Sequence, residues 1–298
     1  MSKLVAIFML MFGGLLVADD IDVKHEKLLY PVVRVRTDNA GGSGTVVYSE
    51  DREESGKFRT YILTNHHVID SAIKVERTWD NLLQHYVTRE KNDLVDVEIF
   101  SWHTGTIIDR KTVKAGIIAY DADGDIALLE LRSNNIPYPL PVANVAKFAT
   151  TDVFNKLRVF QKVFVVGCSL GHDPIHSMGD ITDLSDLIDG KQYLMSSADV
   201  IFGNSGGAVF TEIEGDVFLI GIPARVAVAG FAGAVTHMNW FVPQPRIEKF
   251  INDNKFTFLL DKGVTPEESF KKREELRKNE KENNKVERNQ QRRAQEDD

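Results

Sequence analysis

The sequence predicts an all-β protein, a barrel or a sandwich, over roughly residues 28–255. Short runs of β-branched and aromatic residues are separated by turn residues at the spacing typical of such folds. The connections between these runs lack the amphipathic helices of ten or more residues that a parallel α/β sheet needs. Apolar residues make up 43% of the 298 residues, which is enough to bury a core.

The predicted strands follow one another regularly along the chain. Their residues fit a pleated, half-buried surface, and the residues between them favour turns. Two longer segments, Glu76 to Thr104 and Gly171 to Gln192, are rich in charged residues and in Asp, Gly and His respectively, and we expect both to form surface loops around a site. The strand runs are YPVVRVR, GTVVY, TYILTN, KAGIIAY, DIALLEL, KVFVVG, GGAVF, DVFLIGI and NWFVP.

The N-terminus predicts export from the cytoplasm. Residues from Leu4 to Ala18 are uncharged, follow Lys3 and precede two aspartates. This segment is shorter than the roughly 20 residues of a membrane span and fits the apolar region of a signal peptide. Leu16 is a poor residue for the cleavage site, so an uncleaved membrane anchor or a buried segment stays open. We therefore expect a secreted or periplasmic protein, tethered to the membrane if the segment is retained.

The C-terminus differs in composition from the body of the chain. Thr265-Pro266-Glu267-Glu268 predicts a helix start, with a hydroxyl cap, proline in the first turn and acids near the helix N-terminus. From Glu267 to Asp298 there are ten basic and ten acidic residues and no sustained heptad repeat, which indicates a solvated helix or a disordered tail. The chain thus divides into a signal or anchor over residues 1–20, one domain over 21–260 and a tail over 261–298.

Charge and motif content exclude several classes of ligand. The net charge of −8 argues against a nucleic-acid partner. No phosphate-binding, dinucleotide or calcium motif is present, so we expect no cofactor. His172 and His176 are separated by Pro174, which indicates a flexible loop rather than a metal site. Cys168 forbids an intrachain disulfide, because it is the single cysteine, and it lies in an apolar strand as a buried, unreactive thiol.

Three motifs carry residues suited to nucleophilic catalysis. Gly203-Asn204-Ser205-Gly206-Gly207 presents a serine on a tight turn with backbone N–H groups nearby; a Gly-rich hairpin is the alternative interpretation. In Thr64-Asn65-His66-His67-Val68 a histidine at a strand end is a candidate general base, while adjacent histidines on a strand face opposite ways and chelate one metal poorly. In Asp123-Gly124-Asp125-Ile126 an acid precedes an apolar strand, where it is either a partner for the histidine or a plain turn acid.

In this order TNHHV, DIALLEL and GNSGG resemble the motifs of trypsin-like serine peptidases, which have the chymotrypsin fold, and are most similar to the bacterial HtrA/Deg branch. GGSGTVVY and KVFVVGCSLG match as well, so the resemblance covers about residues 30–255. It implies two six-stranded antiparallel β-barrels with a cleft between them. It also implies His67 as base, Asp125 as its orienting acid, Ser205 as nucleophile and an oxyanion hole formed by the N–H groups of Gly203 and Ser205.

One rival family and two departures from the pattern bear on this assignment. Gly203-x-Ser205-x-Gly207 also fits the nucleophile elbow of α/β-hydrolases, but that fold needs its acid and histidine after the serine, and His237 is the one downstream histidine. Asn204 replaces the aspartate that pairs with a new N-terminus in digestive enzymes, so activation by N-terminal insertion is not expected. The residues after 255 do not suit the peptide-binding PDZ domain of HtrA-like proteins, and the trimer common among those relatives is unsupported.

Substrate preference rests on three further residues. Asp199 lies six residues before Ser205, where trypsin carries the acid of its primary pocket, and a buried acid there favours Arg or Lys before the scissile bond. HtrA-like enzymes have a small apolar residue at that position, which favours small or aliphatic substrate residues, so both preferences stay open. We expect Arg225 to line the same pocket and neutralise Asp199, and Phe202 to narrow it.

The sequence therefore predicts a serine endopeptidase that forms an acyl-enzyme on extended or unfolded polypeptide, bound as an added strand. Two alternatives remain at this point. One is a catalytically latent protein of the same fold that acts as a binding or chaperone module. The other is a self-processing protease that cuts its own tail or its N-terminal segment. The basic sites Lys271-Lys272-Arg273 and Arg292-Arg293 suit such cleavage if Asp199 sets the pocket.

Overall fold

A computed structural model describes residues 20–52, 57–81, 84–132, 144–230 and 233–275, together with Lys278. The predicted signal segment lies outside the described residues except for its last residue, and so does most of the tail, including Arg292 and Arg293. In the described part of the chain no helix is long and apolar enough to span a membrane.

Fourteen strands among the described residues form two closed barrels of six strands each and one hairpin. They are β1 (Val32–Arg36), β2 (Gly41–Arg52), β3 (Lys57–Thr64), β4 (Ile73–Asp80), β5 (His85–Asn92), β6 (Val95–His103), β7 (Thr106–Asp121), β8 (Ile126–Leu131), β9 (Lys162–Gly167), β10 (Ile175–Ile188), β11 (Lys191–Ser196), β12 (Ala208–Ile213), β13 (Asp216–Val228) and β14 (Ala234–Pro243). The strand order is β1-β2-β3-β8-β7-β6 in the first barrel and β10-β11-β14-β13-β12-β9 in the second, with antiparallel pairing throughout both. The expected two-barrel fold is confirmed.

Alternation along β8 shows how the barrels are held together. Ile126 and Leu128 pack into an apolar cluster that joins the two barrels, where they meet residues of the second barrel such as Tyr193. Ala127 and Leu129 point the other way, into the core of the first barrel. Successive side chains of a strand face opposite sides, so a strand with a core on each face has a continuous apolar run. This explains why DIALLEL does not alternate with polar residues.

The predicted surface loop from Glu76 to Thr104 is wrong. Its first part belongs to the β4–β5 hairpin, where Trp79 pairs with Tyr86 in a T-shaped contact, and its last part is β6 of the first barrel. In β6 the valines and isoleucine at alternate positions are buried, while the acidic residues between them lie on the outer face. The charged residues that suggested a loop are the polar face of a strand.

The predicted loop from Gly171 to Gln192 is also wrong over most of its length. β10 occupies residues 175–188 and pairs with β9 on one edge and β11 on the other. His176 therefore lies in a strand rather than in a flexible loop. The strand was missed because half of its side chains are polar and Ile181 is its one fully buried position. Pairing on both edges rather than apolar burial defines it.

Helices are short and lie outside the barrels. The predicted helix start at Thr265 is confirmed, since Thr265 Oγ1 accepts from Glu268 N while Thr265 N donates to the Glu268 carboxylate, both at 3.2 Å. The first turns of the tail are packed rather than solvated, because Phe270 contacts Phe258 and lies under the Arg59 guanidinium. The helices are α1 (Asp20–Lys24), α2 (His66–Ile69), α3 (Thr151–Phe154), α4 (Gln244–Asp253) and α5 (residues 266–275), with further turns at His25–Leu29, Asp70–Ala72, Ser169–Gly171 and Thr257–Leu259.

Candidate active site

His67 and Asp125 form a close pair in the first barrel. The adjacent histidines do not lie on a strand as predicted, because β3 ends at Thr64 and α2 begins at His66. His67 Nδ1 lies 3.0 and 2.9 Å from the two carboxylate oxygens of Asp125, and the His67 backbone N–H donates to Oδ1 at 3.1 Å. A carboxylate at Nδ1 favours a proton on that nitrogen and leaves Nε2 as the acceptor, as a general base requires. The Asp125 side chain is 16% exposed and that of His67 45%.

The turn that carries Asp125 is held at three points. Asp125 has a left-handed backbone with φ of +55°, a conformation that Asp tolerates better than most residues. Its carbonyl accepts from Asn65 Nδ2 at 2.8 Å. The preceding Gly124 donates its N–H to Asp121 Oδ1 and accepts from Arg246 Nη2, both at 2.8 Å. Neighbouring hydrogen bonds therefore maintain the strained conformation that directs the carboxylate toward His67.

Ser205 comes from the second barrel and lies against the first. Ser43 N of β2 donates to Ser205 O at 2.8 Å. Ser205 and the helix that carries His67 both pack closely against Gly42. A Cβ added at Gly42 would lie 2.9 Å from Ser205 O and 2.7 Å from Val68 Cγ2, so there is no room for a side chain between them. The structure thus brings Ser205 to the end of the first barrel where His67 and Asp125 lie. No hydrogen bond joins His67 Nε2 to Ser205 Oγ in the described part of the chain.

The residues predicted to form an oxyanion hole have their N–H groups unoccupied. Neither Gly203 N nor Ser205 N donates to any described residue. Leu170 N donates to Phe202 O at 2.7 Å; because the carbonyl and N–H of a trans peptide point in opposite directions, the Gly203 N–H faces away from Leu170. Gly203 has φ of +97°, and a Cβ there would lie 2.5 Å from Cys168 O, so the turn requires glycine.

Ser43 is a site residue that the sequence did not reveal. Its buried hydroxyl donates to Gly203 O at 2.6 Å and accepts from Cys168 N at 2.7 Å, and its carbonyl accepts from Thr64 Oγ1 at 2.7 Å. Ser43 therefore connects β2 with β3, with the Ser205 turn and with the end of β9. The one available signal was its place in the GGSG motif, which indicated only a strand.

Asn204 is buried, with 3% of its surface exposed, and its amide oxygen is fully engaged. Asn204 Oδ1 accepts from Ser169 Oγ at 2.8 Å and from Ile201 N at 3.1 Å. A neutral amide suits this position, because both partners are neutral donors from the same part of the barrel. The residue before Ser205 is thus stabilised by internal hydrogen bonds.

Asp199 and Arg225 do not pair as expected. Asp199 is exposed rather than buried, and its Oδ1 accepts from Thr236 Oγ1 at 2.6 Å. Arg225 instead lies 3.4 Å from Asp189 Oδ2, with its guanidinium over the Tyr193 ring, because the Asp189 turn and Tyr193 lie within its reach. Asp199 lines a cleft of about 320 Å³, but Arg225 is not among its lining residues. Phe202 is 61% exposed beside Gly203, and a role for these residues in substrate binding stays a prediction.

Other candidate groups have structural surroundings. Cys168 is fully buried as predicted, and desolvation raises its pKa to about 12. In the described ranges no three His, Cys, Asp or Glu side chains are grouped to hold a metal ion.

Two closed antiparallel barrels of six strands, with the His67–Asp125 pair on the first and the Ser205 turn on the second, define a protein of the chymotrypsin fold. The family model of the trypsin-like peptidase domain matches residues 42–222, more than half of the chain, and the protein belongs to this family. Two solved structures of the HtrA-type protease AlgW, each with a tripeptide, are similar in fold, with TM-scores of 0.52 and 0.53 at 17% sequence identity. They cover 80% and 82% of this chain, which spans 63% and 65% of theirs. No curated protein matches the sequence.

Proposed function

We propose that the protein is a serine endopeptidase that cleaves polypeptide through an acyl-enzyme on Ser205. Membership of the trypsin-like peptidase family supports a peptidase in general. The observation that carries the finer proposal is the His67–Asp125 pair at 2.9 Å beside a serine turn with two unoccupied N–H groups. A carboxylate-oriented imidazole, a serine and two converging donors are the groups that acyl transfer requires.

The proposed reaction has two stages. In the first, Ser205 Oγ attacks the scissile carbonyl carbon while His67 Nε2 takes its proton, and the Gly203 and Ser205 N–H groups stabilise the oxyanion. Collapse of the tetrahedral intermediate breaks the C–N bond, and His67 returns the proton to the leaving amine. In the second stage a water molecule attacks the Ser205 ester in the same way and releases the acid.

A free strand edge beside Ser205 supports an extended polypeptide as the substrate. Pairing of β13 with β12 ends at Gly221, and Pro223 O accepts from Gly206 N at 3.2 Å. After an irregularity at Ala224, residues 225–228 continue to pair with β14 but have no strand on their other edge in the described part of the chain. An extended peptide can add to such an edge through main-chain hydrogen bonds, which places its carbonyl groups next to the Ser205 turn.

One observation favours the alternative of a catalytically latent binding module. Ser205 Oγ and His67 Nε2 are not hydrogen-bonded among the described residues, and a site that never forms this contact cannot transfer the proton. Catalytic hydrogen bonds often tighten only when substrate binds, so the endopeptidase is the better supported function. Export of the protein, by signal peptide or by membrane anchor, stays a prediction.

Reaction with a fluorophosphonate probe tests the proposal, because the probe labels only a serine activated by its base and oxyanion hole. We expect labelling of the wild type and none of Ser205→Ala or His67→Ala, while Ser185→Ala, which removes an exposed serine hydroxyl of β10, labels normally. Digestion of denatured casein followed by mass spectrometry then distinguishes an endopeptidase from an esterase. A folded wild type that neither labels nor digests casein would contradict the proposal and favour the latent module.

Self-processing is tested on the same samples. Intact mass spectrometry of wild type and Ser205→Ala compares their C-termini. Loss of the tail in the wild type alone would show self-cleavage.

A further inference from the structure

We propose that Arg225 selects substrates with an acidic residue at the position that lies opposite it in the bound strand. This inference rests on the proposed function. It concerns β13, whose free edge begins beside the Ser205 turn and includes Arg225. Arg225 is the one charged residue among residues 224–228, since Ala and Val occupy the other positions.

The position of Arg225 on the strand brings its Cβ, the root of the side chain, close to a side chain of an added peptide. In an antiparallel pair, residues directly opposite each other share a face of the sheet with Cβ atoms about 4.5–5.5 Å apart. A peptide paired with residues 224–228 therefore places one side chain beside Arg225. Opposite charges in such a cross-strand pair are favourable and like charges are unfavourable.

The guanidinium reaches across β14 toward β11, away from the free edge, and its charge there is only weakly neutralised, so it is free to turn toward a peptide added at that edge. The guanidinium lies 5.2 Å from the centroid of the Tyr193 ring. Tyr193 is itself fully buried. Its one ion-pair partner among the described residues is Asp189, at 3.4 Å. The two side chains are 41% and 70% exposed, and pairs of this kind contribute little to stability. A substrate carboxylate can therefore replace Asp189 at small cost and form a bidentate contact.

A second cation on the same ring increases the positive charge there. The Arg246 guanidinium lies 4.7 Å from the Tyr193 centroid and donates to two backbone carbonyl oxygens, those of Gln192 and Gly124. Within the described residues Arg246 makes no ion pair, so its charge is not cancelled by a carboxylate. Gly124 O precedes Asp125, so the Arg246 guanidinium lies next to the turn that carries Asp125.

Matched peptides test this selection. Starting from a peptide that the wild type cleaves, Glu, Gln and Lys are placed in turn two to five residues from the scissile bond on either side, and kcat/KM is measured for each. At one position we expect Glu to exceed Gln by roughly two- to fivefold in the wild type. This ratio should fall to about one in Arg225→Gln, and Lys should become the preferred residue in Arg225→Glu.

Two further variants separate a charge effect at Arg225 from a structural one. Asp189→Asn removes the competing carboxylate and should raise the Glu-to-Gln ratio, a result that does not depend on folding of the Arg225 variants. Lys156→Gln removes a cation from an exposed pair with Glu214 elsewhere on the second barrel and should leave the ratio unchanged.

The outcomes distinguish this inference from the proposed function. A wild type that labels with fluorophosphonate but shows the same Glu-to-Gln ratio as Arg225→Gln at every position overturns the selection by Arg225 alone. A preference for Lys in the wild type that is lost in Asp189→Asn overturns it in favour of Asp189. A wild type that neither labels nor cleaves overturns the proposed function, and the inference with it.

Discussion

Removal of the Ser43 hydroxyl should weaken both the fold and the proposed oxyanion hole. In Ser43→Ala the buried Cys168 N–H loses its acceptor and the Gly203 carbonyl loses its donor, contacts of 2.7 and 2.6 Å in the wild type. Alanine fits the space of serine, so neither a clash nor a large cavity accompanies the change. The effect therefore isolates the two hydrogen bonds.

The expected loss follows from the burial of both partners. A buried donor or acceptor left without a partner costs about 1–3 kcal/mol. Two such groups give about 2–4 kcal/mol after partial relaxation, since the Cys168 and Gly203 backbones belong to different segments and cannot satisfy each other. Loss of the hydrogen bond to the Gly203 carbonyl also loosens the turn that positions the two N–H groups of the proposed oxyanion hole. We therefore expect fluorophosphonate labelling to slow about tenfold. This is less than the 10²–10³-fold that loss of a whole oxyanion donor costs.

Urea unfolding followed by tryptophan fluorescence measures the free energy of unfolding, and timed labelling measures the site. Ser185→Ala, at an exposed position of β10, is the matched control and should change stability by less than about 0.5 kcal/mol. A loss below about 1 kcal/mol in Ser43→Ala, together with an unchanged labelling rate, would refute the role assigned to this hydroxyl.

Three further changes test other parts of the site. Gly203→Ala should lower labelling at least 10²-fold in a folded protein, because the new Cβ meets Cys168 O, whereas Gly215→Ala, also at positive φ but in open space, should label normally. Arg246→Met should reduce the free energy of unfolding by about 1–2 kcal/mol and slow labelling, while Lys249→Met on the same helix should change stability by less than about 0.5 kcal/mol; equal losses would contradict a specific role for the guanidinium. Burial raises the pKa of the Cys168 thiol from 9.0 to about 12. The thiol of the unfolded chain therefore ionises at lower pH than that of the folded protein, and the free energy of unfolding should decline as pH rises above about 9. Iodoacetamide at pH 8.5 should modify the protein only in urea.

The fold class was predictable, and the candidate site residues could be named, because their signals are local. Apolar runs of strand length define most strands of the two barrels, and side chains at a fixed chain spacing form the Thr265 cap. His67, Asp125 and Ser205 each lie in a short motif whose glycine, asparagine or apolar neighbours shape the local turn. The order of these motifs carried the resemblance to the trypsin-like family.

Pairing between distant segments was not predictable in the same way. Residues 76–104 and β10 were taken for loops because their side chains are largely polar, yet their backbones pair with strands whose position no local pattern specifies. Charge in a sequence does not tell whether a residue lies on the outer face of a strand or in a loop.

The sequence by itself determined most of the barrel strands, the glycine-dependent turn around Ser205 and the residue types on which the proposed acyl transfer depends. Only the tertiary structure decided which groups meet. The partners of the Ser43 hydroxyl lie 125 and 160 residues away, and Arg225 lies near Asp189 rather than Asp199. The Ser43 contacts depend on how the two closed barrels pack against each other, and the packing of many residues across that interface sets their distances. The Arg225 contact depends on the order of strands within the second barrel, which brings the β10–β11 turn within reach of β13.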